Sequence, residues 1–255
     1  MGNDLVDKFR NDGYLLVENV FDQTMMAAAR SDIDRDLKKW DKIMREKGRE
    51  KEAGSVAHHV LVEQHWVSFL AAIEPFELFK KLLNSQPVIN TFGVLDNSIN
   101  SAIYVNNDHV DQRFIVNCDE TLMLNILIFV DDFTPENGAT WIYPGTHLQS
   151  SLDLGQKQMT GTSGSVLIWD SRLLHRAGVN STGVNRRAIS AMITRPWIKP
   201  QFDYMSNAVE KSLDIPNERA MQLLGGHCQL NRSLDDWYSN ESAKRYRREQ
   251  DEWYE

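Results

Sequence analysis

Three side chains near the middle of the chain have the types and spacing to hold a metal ion. His109-Val110-Asp111 puts an imidazole and a carboxylate two residues apart. In an extended segment such residues point to one face, with Cα atoms about 6–7 Å apart, so both can lean onto one ion. The third donor must come from a neighbouring segment. His175 is the best placed, following the apolar run 166–169 after a short turn through Ser171 and Arg172. Two histidines and one carboxylate cover one face of an ion and leave positions open on the other. That donor set goes with non-haem iron(II) oxygenases. Their chemistry needs the open positions, two for a bidentate 2-oxo acid and one for dioxygen.

A His-x-Asp alone is common by chance, and the other histidines read as surface or structural groups. His58 and His59 fall in a polar loop, His65 in a helical stretch, and His227 after Gly225-Gly226. His147 follows the turn Pro144-Gly145-Thr146 and competes with His175 as the distal donor. The choice between them turns on Arg186, eleven residues beyond His175 at the head of a strand-like run. Alternation puts Arg186, Ala188 and Ser190 on one face and Arg187, Ile189, Ala191 and Ile193 on the other. The first face is small and polar, like the wall of a ligand cavity. The second is apolar, like a face covered by helices. Arg186 therefore points inward, where a buried guanidinium needs an anion. Its planar fork suits the distal carboxylate of 2-oxoglutarate. No residue in this position accompanies His147.

Around these residues the sequence sets out two kinds of element. A short amphipathic helix is expected over 3–10, a turn at Asn11-Asp12-Gly13 and a strand over 14–17. Thr24 can cap a helix running from about 25 to 46. A charged, solvated stretch follows over 45–54. Helical patterns over 62–72 and 75–84 break at Pro75. From 88 onward the period changes to that of strands, over 88–94, 102–105, 121–130, 140–143, 165–169 and 186–193. Their separators are turn residues such as Glu136-Asn137-Gly138 and Pro144-Gly145. Helices followed by many short strands suggest one β-core with helices on an outer face. The tail over 232–255 reads as a terminal helix packing through Trp237, Tyr246 and Trp253.

Composition bounds the rest. The 255 residues carry a formal net charge of −8, which disfavours nucleic acid and anionic membranes as partners. Two cysteines, Cys118 and Cys228, exclude a disulfide scaffold and point to a reducing compartment. The N-terminus shows no secretory pattern, and no apolar run is long enough to span a membrane. A cytoplasmic protein acting on a small molecule is expected. Composition and motifs are silent on its oligomeric state.

With these residues in view, the chain resembles the phytanoyl-CoA dioxygenase (PhyH) family of 2-oxoglutarate/iron(II) oxygenases over roughly residues 4–200. The resemblance rests on Phe9-Arg10-Asn11-Asp12-Gly13-Tyr14-Leu15-Leu16-Val17, on His109-Val110-Asp111, and on Asp131-Asp132-Phe133-Thr134-Pro135-Glu136-Asn137-Gly138-Ala139-Thr140 with Pro144-Gly145-Thr146-His147. It continues through Gly164-Ser165-Val166-Leu167-Ile168-Trp169, His175 and Arg186. It implies a double-stranded β-helix, a cupin-like jelly roll, with N-terminal helices packed on one sheet. The expected layout is a single domain over 1–255, with a helical part to about 86, a β-core over 87–200 and an extension over 201–255. The resemblance implies iron(II), 2-oxoglutarate and dioxygen as reactants. His109, Asp111 and His175 carry over as metal ligands and Arg186 as the cosubstrate anchor. Thr140 resembles a position that helps bind 2-oxoglutarate in some members. Asn125 faces the same cavity by alternation along 122–130. Two departures stand out. Asn107-Asp108 precedes the His-x-Asp where the family often has Trp, and Thr146 stands where Ser is commoner.

The expected reaction is oxidation of a C–H bond, hydroxylation first, with release of succinate and CO2. A small molecule of secondary metabolism is the favoured substrate. Desaturation, ring formation and endoperoxidation share the same ligand set. Halogenation is disfavoured because Asp111 is present. Outside this chemistry stand a non-catalytic cupin-like binding protein and a metal-dependent hydrolase or isomerase. Oxygen uptake coupled to succinate release separates them.

Overall fold

Alternating burial along the strands decides the architecture of the chain. A computed structural model describes residues 2–50, 55–97, 107–112, 118–148, 155–230 and 233–239. The first part contains α1 (Gly2–Asp12), β1 (Tyr14–Val17), α2 (Gln23–Glu46), β2 (Val56–His58), α3 (Gln64–Ala71) and α4 (Phe76–Leu83). The strands that follow are β3 (Val88–Asp96), β4 (Met123–Phe129), β5 (Thr140–Ile142), β6 (Lys157–Met159), β7 (Val166–Asp170), β8 (His175–Arg176) and β9 (Arg187–Thr194). Three short helices come after them, α5 (Tyr204–Glu210), α6 (Glu218–Leu223) and α7 (Leu234–Trp237).

Six strands form one antiparallel sheet in the order β1-β7-β4-β9-β3-β2, and three form a second in the order β6-β5-β8. Strand β4 lies between β7 and β9 and is buried along its whole length. Its residues Leu124, Ile126 and Ile128 face outward, into a cluster with Met26 and Ile33 of α2, Trp66 of α3 and Phe79 of α4. Its alternate residues Leu127 and Phe129 face inward, into a second cluster with Ile142 and Met159 from the smaller sheet and Ala139 just before it. The chain is thus a jelly roll of two facing sheets, with helices covering the outside of the larger one. Each large side chain so buried contributes about 1.5–3 kcal/mol to holding the layers together. Tyr204, Leu223 and Leu224 join the outer cluster, so the segment after the β-core packs on the same face. Among the described residues, no helix is long and apolar enough to cross a membrane.

Several local expectations are corrected. The cap of α2 is Asp22, not Thr24; its carboxylate accepts from Met25 N at 2.8 Å from an extended backbone. Asp is the stronger capping residue, and the helix starts two residues earlier than the Thr24 reading allows. His58 does not sit in a polar loop, and His59 lies in the short connection after it. Val56–His58 is an edge strand that pairs with β3. Strands β6 and β8 were not expected either. The expected strand at 102–105, and most of the tail helix, lie outside the described residues; α7 spans only Leu234–Trp237.

Gly13 joins α1 to β1 with φ +80. A Cβ there would meet His147 Nδ1 at 2.5 Å and Leu173 at 2.7 Å. The His147 ring is therefore wedged beneath the N-terminal turn, and its Nε2 lies 3.1 Å from the carbonyl oxygen of Arg10.

Candidate metal centre and its cavity

Backbone pairing brings the three candidate ligands together. His109 N donates to His175 O and His175 N to His109 O, both at 3.0 Å. Two residues on, Asp111 N and Gln112 N both donate to Ser171 O at 3.0 Å. The segment bearing His109 and Asp111 is thus laid against β8 and the turn before it, and the three side chains converge. One potential ligand atom from each lies within 4.8 Å of the others. His109 Nε2 is 3.7 Å from Asp111 Oδ1, and His175 Nε2 is 3.3 Å from Asp111 Oδ2.

Hydrogen bonds orient both rings. His109 Nδ1 lies 2.8 Å from the carbonyl oxygen of Asn107, and His175 Nδ1 lies 3.0 Å from that of Leu173. A carbonyl only accepts, so each Nδ1 carries a proton and each ring turns its Nε2 toward the common centre. Trp169 fixes the other side of His175, with ring centroids 5.0 Å apart at 64°. Burial pushes the Asp111 carboxyl up, but His175, His109 and Asn125 together overcome this and hold it below the usual carboxylate range. Asn125 faces inward as alternation requires. Its amide donates to Asp111 Oδ2, and its carbonyl accepts from Ser171 Oγ at 2.9 Å. The Asn125 side chain thus touches the carboxylate from behind, a contact that sequence reasoning did not foresee.

A cavity of about 160 Å³ opens from these residues. His109, Asp111 and His175 line it together with Thr140 and Arg186. Leu127, Leu95, Trp169 and Met192 make its walls largely apolar. Arg186 is only 2% exposed. Its guanidinium stacks over the Phe133 ring at 4.2 Å, and its Nε has no hydrogen-bond partner among the described residues. Asp96 accepts from the Arg186 backbone N at 3.1 Å and forms no ion pair with the side chain. Burial pushes the Arg186 pKa down to about 10, against the pull of Asp96 and Asp131, so it stays charged at neutral pH. Leaving a buried cation without a partner is costly. An anion entering the cavity would offset that cost.

The sequence also missed His58 as a lining residue. It reaches the cavity from β2, beside Val56. The run Val56-Ala57-His58 was a weak strand signal, hidden by the charged stretch before it. His59 turns away from the cavity; its Nδ1 lies 2.8 Å from Tyr204 Oη, and its ring stacks on Phe202 at 5.1 Å. His147 stands apart from the cluster of His109, Asp111 and His175.

A two-histidine, one-carboxylate cluster that shares a cavity with a buried arginine, inside a jelly roll, fits the iron(II) and 2-oxo acid set of non-haem oxygenases. Residues 9–188 match the phytanoyl-CoA dioxygenase (PhyH) family. The chain belongs to that family and is an oxidoreductase of the dioxygenase class. It is 27% identical over 258 residues to the uncharacterized protein Rv1501 of Mycobacterium tuberculosis, covering 93% of this chain and 92% of that one. Among solved structures it resembles SnoK, the non-haem α-ketoglutarate-dependent carbocyclase from nogalamycin biosynthesis, with TM-score 0.61 and 16% identity over 77% of this chain and 85% of that one. It also resembles EctD from S. alaskensis with bound Fe, with TM-score 0.61 and 15% identity over 80% of each chain. At these identities the two structures establish the jelly-roll fold.

Proposed function

We propose that the protein is an iron(II)- and 2-oxoglutarate-dependent dioxygenase that hydroxylates a C–H bond of a small molecule. His109, Asp111 and His175 are the metal ligands in this reading, and Arg186 binds the distal carboxylate of 2-oxoglutarate. The observation that carries it is Arg186, a buried guanidinium with no anionic partner among the described residues, set in the same cavity as the His-Asp-His cluster. Iron(II) held there, with 2-oxoglutarate, supplies dioxygen activation coupled to oxidative decarboxylation, releasing succinate and CO2.

The chain's own residues do the rest. The Nδ1 hydrogen bonds keep both imidazoles in the ligating tautomer. Asn125 holds Asp111 at one oxygen and leaves the other free for the metal. Arg186 pairs with the cosubstrate and fixes its orientation, with Thr140 lining the same cavity. The apolar walls exclude water from the reacting centre. Asp111 would take the metal position that a halide needs, which favours oxygenation over halogenation. The outer cluster shared by the N-terminal helices and residues 204–224 supports one catalytic domain over 1–255. Two free cysteines support a cytoplasmic setting. The test is succinate release coupled to oxygen uptake by the iron-loaded protein. Activity that persists without oxygen would overturn the reading and favour a metal-dependent hydrolase or isomerase.

A further inference from the structure

The departure at Asn107-Asp108 has a physical counterpart. Asn107 supplies the carbonyl that orients His109. Asp108 does something different. The antiparallel bridge between His109 and His175 brings their outer neighbours, Asp108 and Arg176, face to face. Period two turns both side chains away from the ligand face. Arg176 Nε lies 3.1 Å from Asp108 Oδ1. The Tyr143 hydroxyl lies 3.0 Å from both Asp108 oxygens. Arg176 also donates to Gln156 Oε1 at 2.9 Å and lies 5.2 Å over the Trp141 ring, its register partner in β5. The residue before one histidine is thus fastened to the residue after the other, and the pair is fastened to the smaller sheet.

We propose that the Asp108–Arg176 pair, braced by Tyr143, is a positioning clasp that sets the affinity of the His109, Asp111 and His175 cluster for its metal. The proposal rests on the assignment of those residues as ligands. His109 and Asp111 reach the fold through backbone pairing with His175 and Ser171 and through Asn125. The clasp adds a side-chain tie on the opposite face of the same short segment, and so limits how far His109 can swing from His175. Asp108 is 45% exposed and Arg176 25%. Pairs this exposed contribute little to folding, so the loss of the clasp should appear in metal affinity and not in stability.

The test uses the full chain, freed of metal and titrated anaerobically with iron(II), in wild type, Asp108→Asn, Arg176→Gln and the double variant. Each single substitution should weaken metal binding about 10-fold, the lower end for residues that orient ligands. The double variant should be no weaker than either single one, because both remove the same tie. Melting of the metal-free protein should stay within about 2 °C of wild type. High salt should move wild type toward the variants, since salt screens an exposed pair. Unchanged affinity in Asp108→Asn, additive losses in the double variant, or a parallel fall in melting temperature would overturn the clasp while wild-type binding stands. A wild type that binds no metal would instead remove the ligand assignment, and the clasp with it.

Discussion

Arg186 and Arg187 are neighbours in sequence and face opposite sides of the larger sheet. Arg187 points outward and is paired with two carboxylates. Its Nε and Nη2 hold Asp34 of α2 at 2.7 and 3.1 Å, and its Nη1 holds Asp131 at 3.0 Å. Arg30 reaches the other oxygen of Asp131 at 2.7 Å. Burial pulls the Arg187 pKa down, but the two carboxylates overcome this and raise it above the ordinary arginine value. Arg186 points inward, is more deeply buried, and has an aromatic ring where its neighbour has carboxylates. The same side chain thus serves two ends. Outside, it ties a helix to a sheet with partners the fold already supplies. Inside, it has no carboxylate partner among the described residues, and the proposed 2-oxoglutarate would supply one. Adjacent positions diverge this far because the strand period is two.

Substitutions should separate the two faces. The largest effect is expected at the cluster itself. His175→Ala or Asp111→Ala should abolish turnover and iron(II) binding while the fold persists, as read by metal titration and circular dichroism. Next comes Arg186→Ala, which should raise the KM for 2-oxoglutarate. Losing one partner of a buried charge pair costs about 2–5 kcal/mol, so the change should be at least about 30-fold. The melting temperature of the ligand-free variant should hold or rise, because an unpaired buried cation has been removed. An unchanged KM would move the anchor elsewhere, Arg187 included. Asn125→Ala should cost about 10-fold in metal affinity with the 2-oxoglutarate KM unchanged, because Asn125 contacts Asp111. Arg187→Ala should leave both ligand affinities in place and lower unfolding stability by about 1.5–3 kcal/mol, the range for hydrogen bonds to charged groups, measured by denaturant titration. A large rise in the 2-oxoglutarate KM with Arg187→Ala would erase the contrast between the faces.

Much of this contrast was legible in the residues themselves. Alternation along 186–193 separates Arg186 from Arg187 without any coordinates. The same period turns Asn125 and Leu127 inward and Ile126 and Ile128 toward the helices. Other features depended on tertiary structure. β6 is Lys157-Gln158-Met159, with no β-branched or aromatic residue to mark it, and exists because β5 pairs with it. β8 has two residues, too few for a period, and owes its place to β5 and to His109. β2 follows a charged run, and pairing with β3 makes it a strand and carries His58 to the cavity. The two engagements of Asn125, with Asp111 and Ser171, join residues from three separate segments. No local pattern encodes that meeting, nor the pairing of Asp108 with Arg176 across the histidine bridge.

In the proposed function the His-Asp-His cluster and Arg186 form one site for metal and 2-oxoglutarate. Anaerobic addition of iron(II) and then 2-oxoglutarate to the purified protein, followed by visible absorption, tests it most directly. Wild type should show an iron–2-oxoglutarate charge-transfer band, Arg186→Ala the same band only at much higher 2-oxoglutarate, and His175→Ala none. A wild-type protein that shows no band, or an Arg186→Ala variant that saturates at the wild-type concentration, would contradict it.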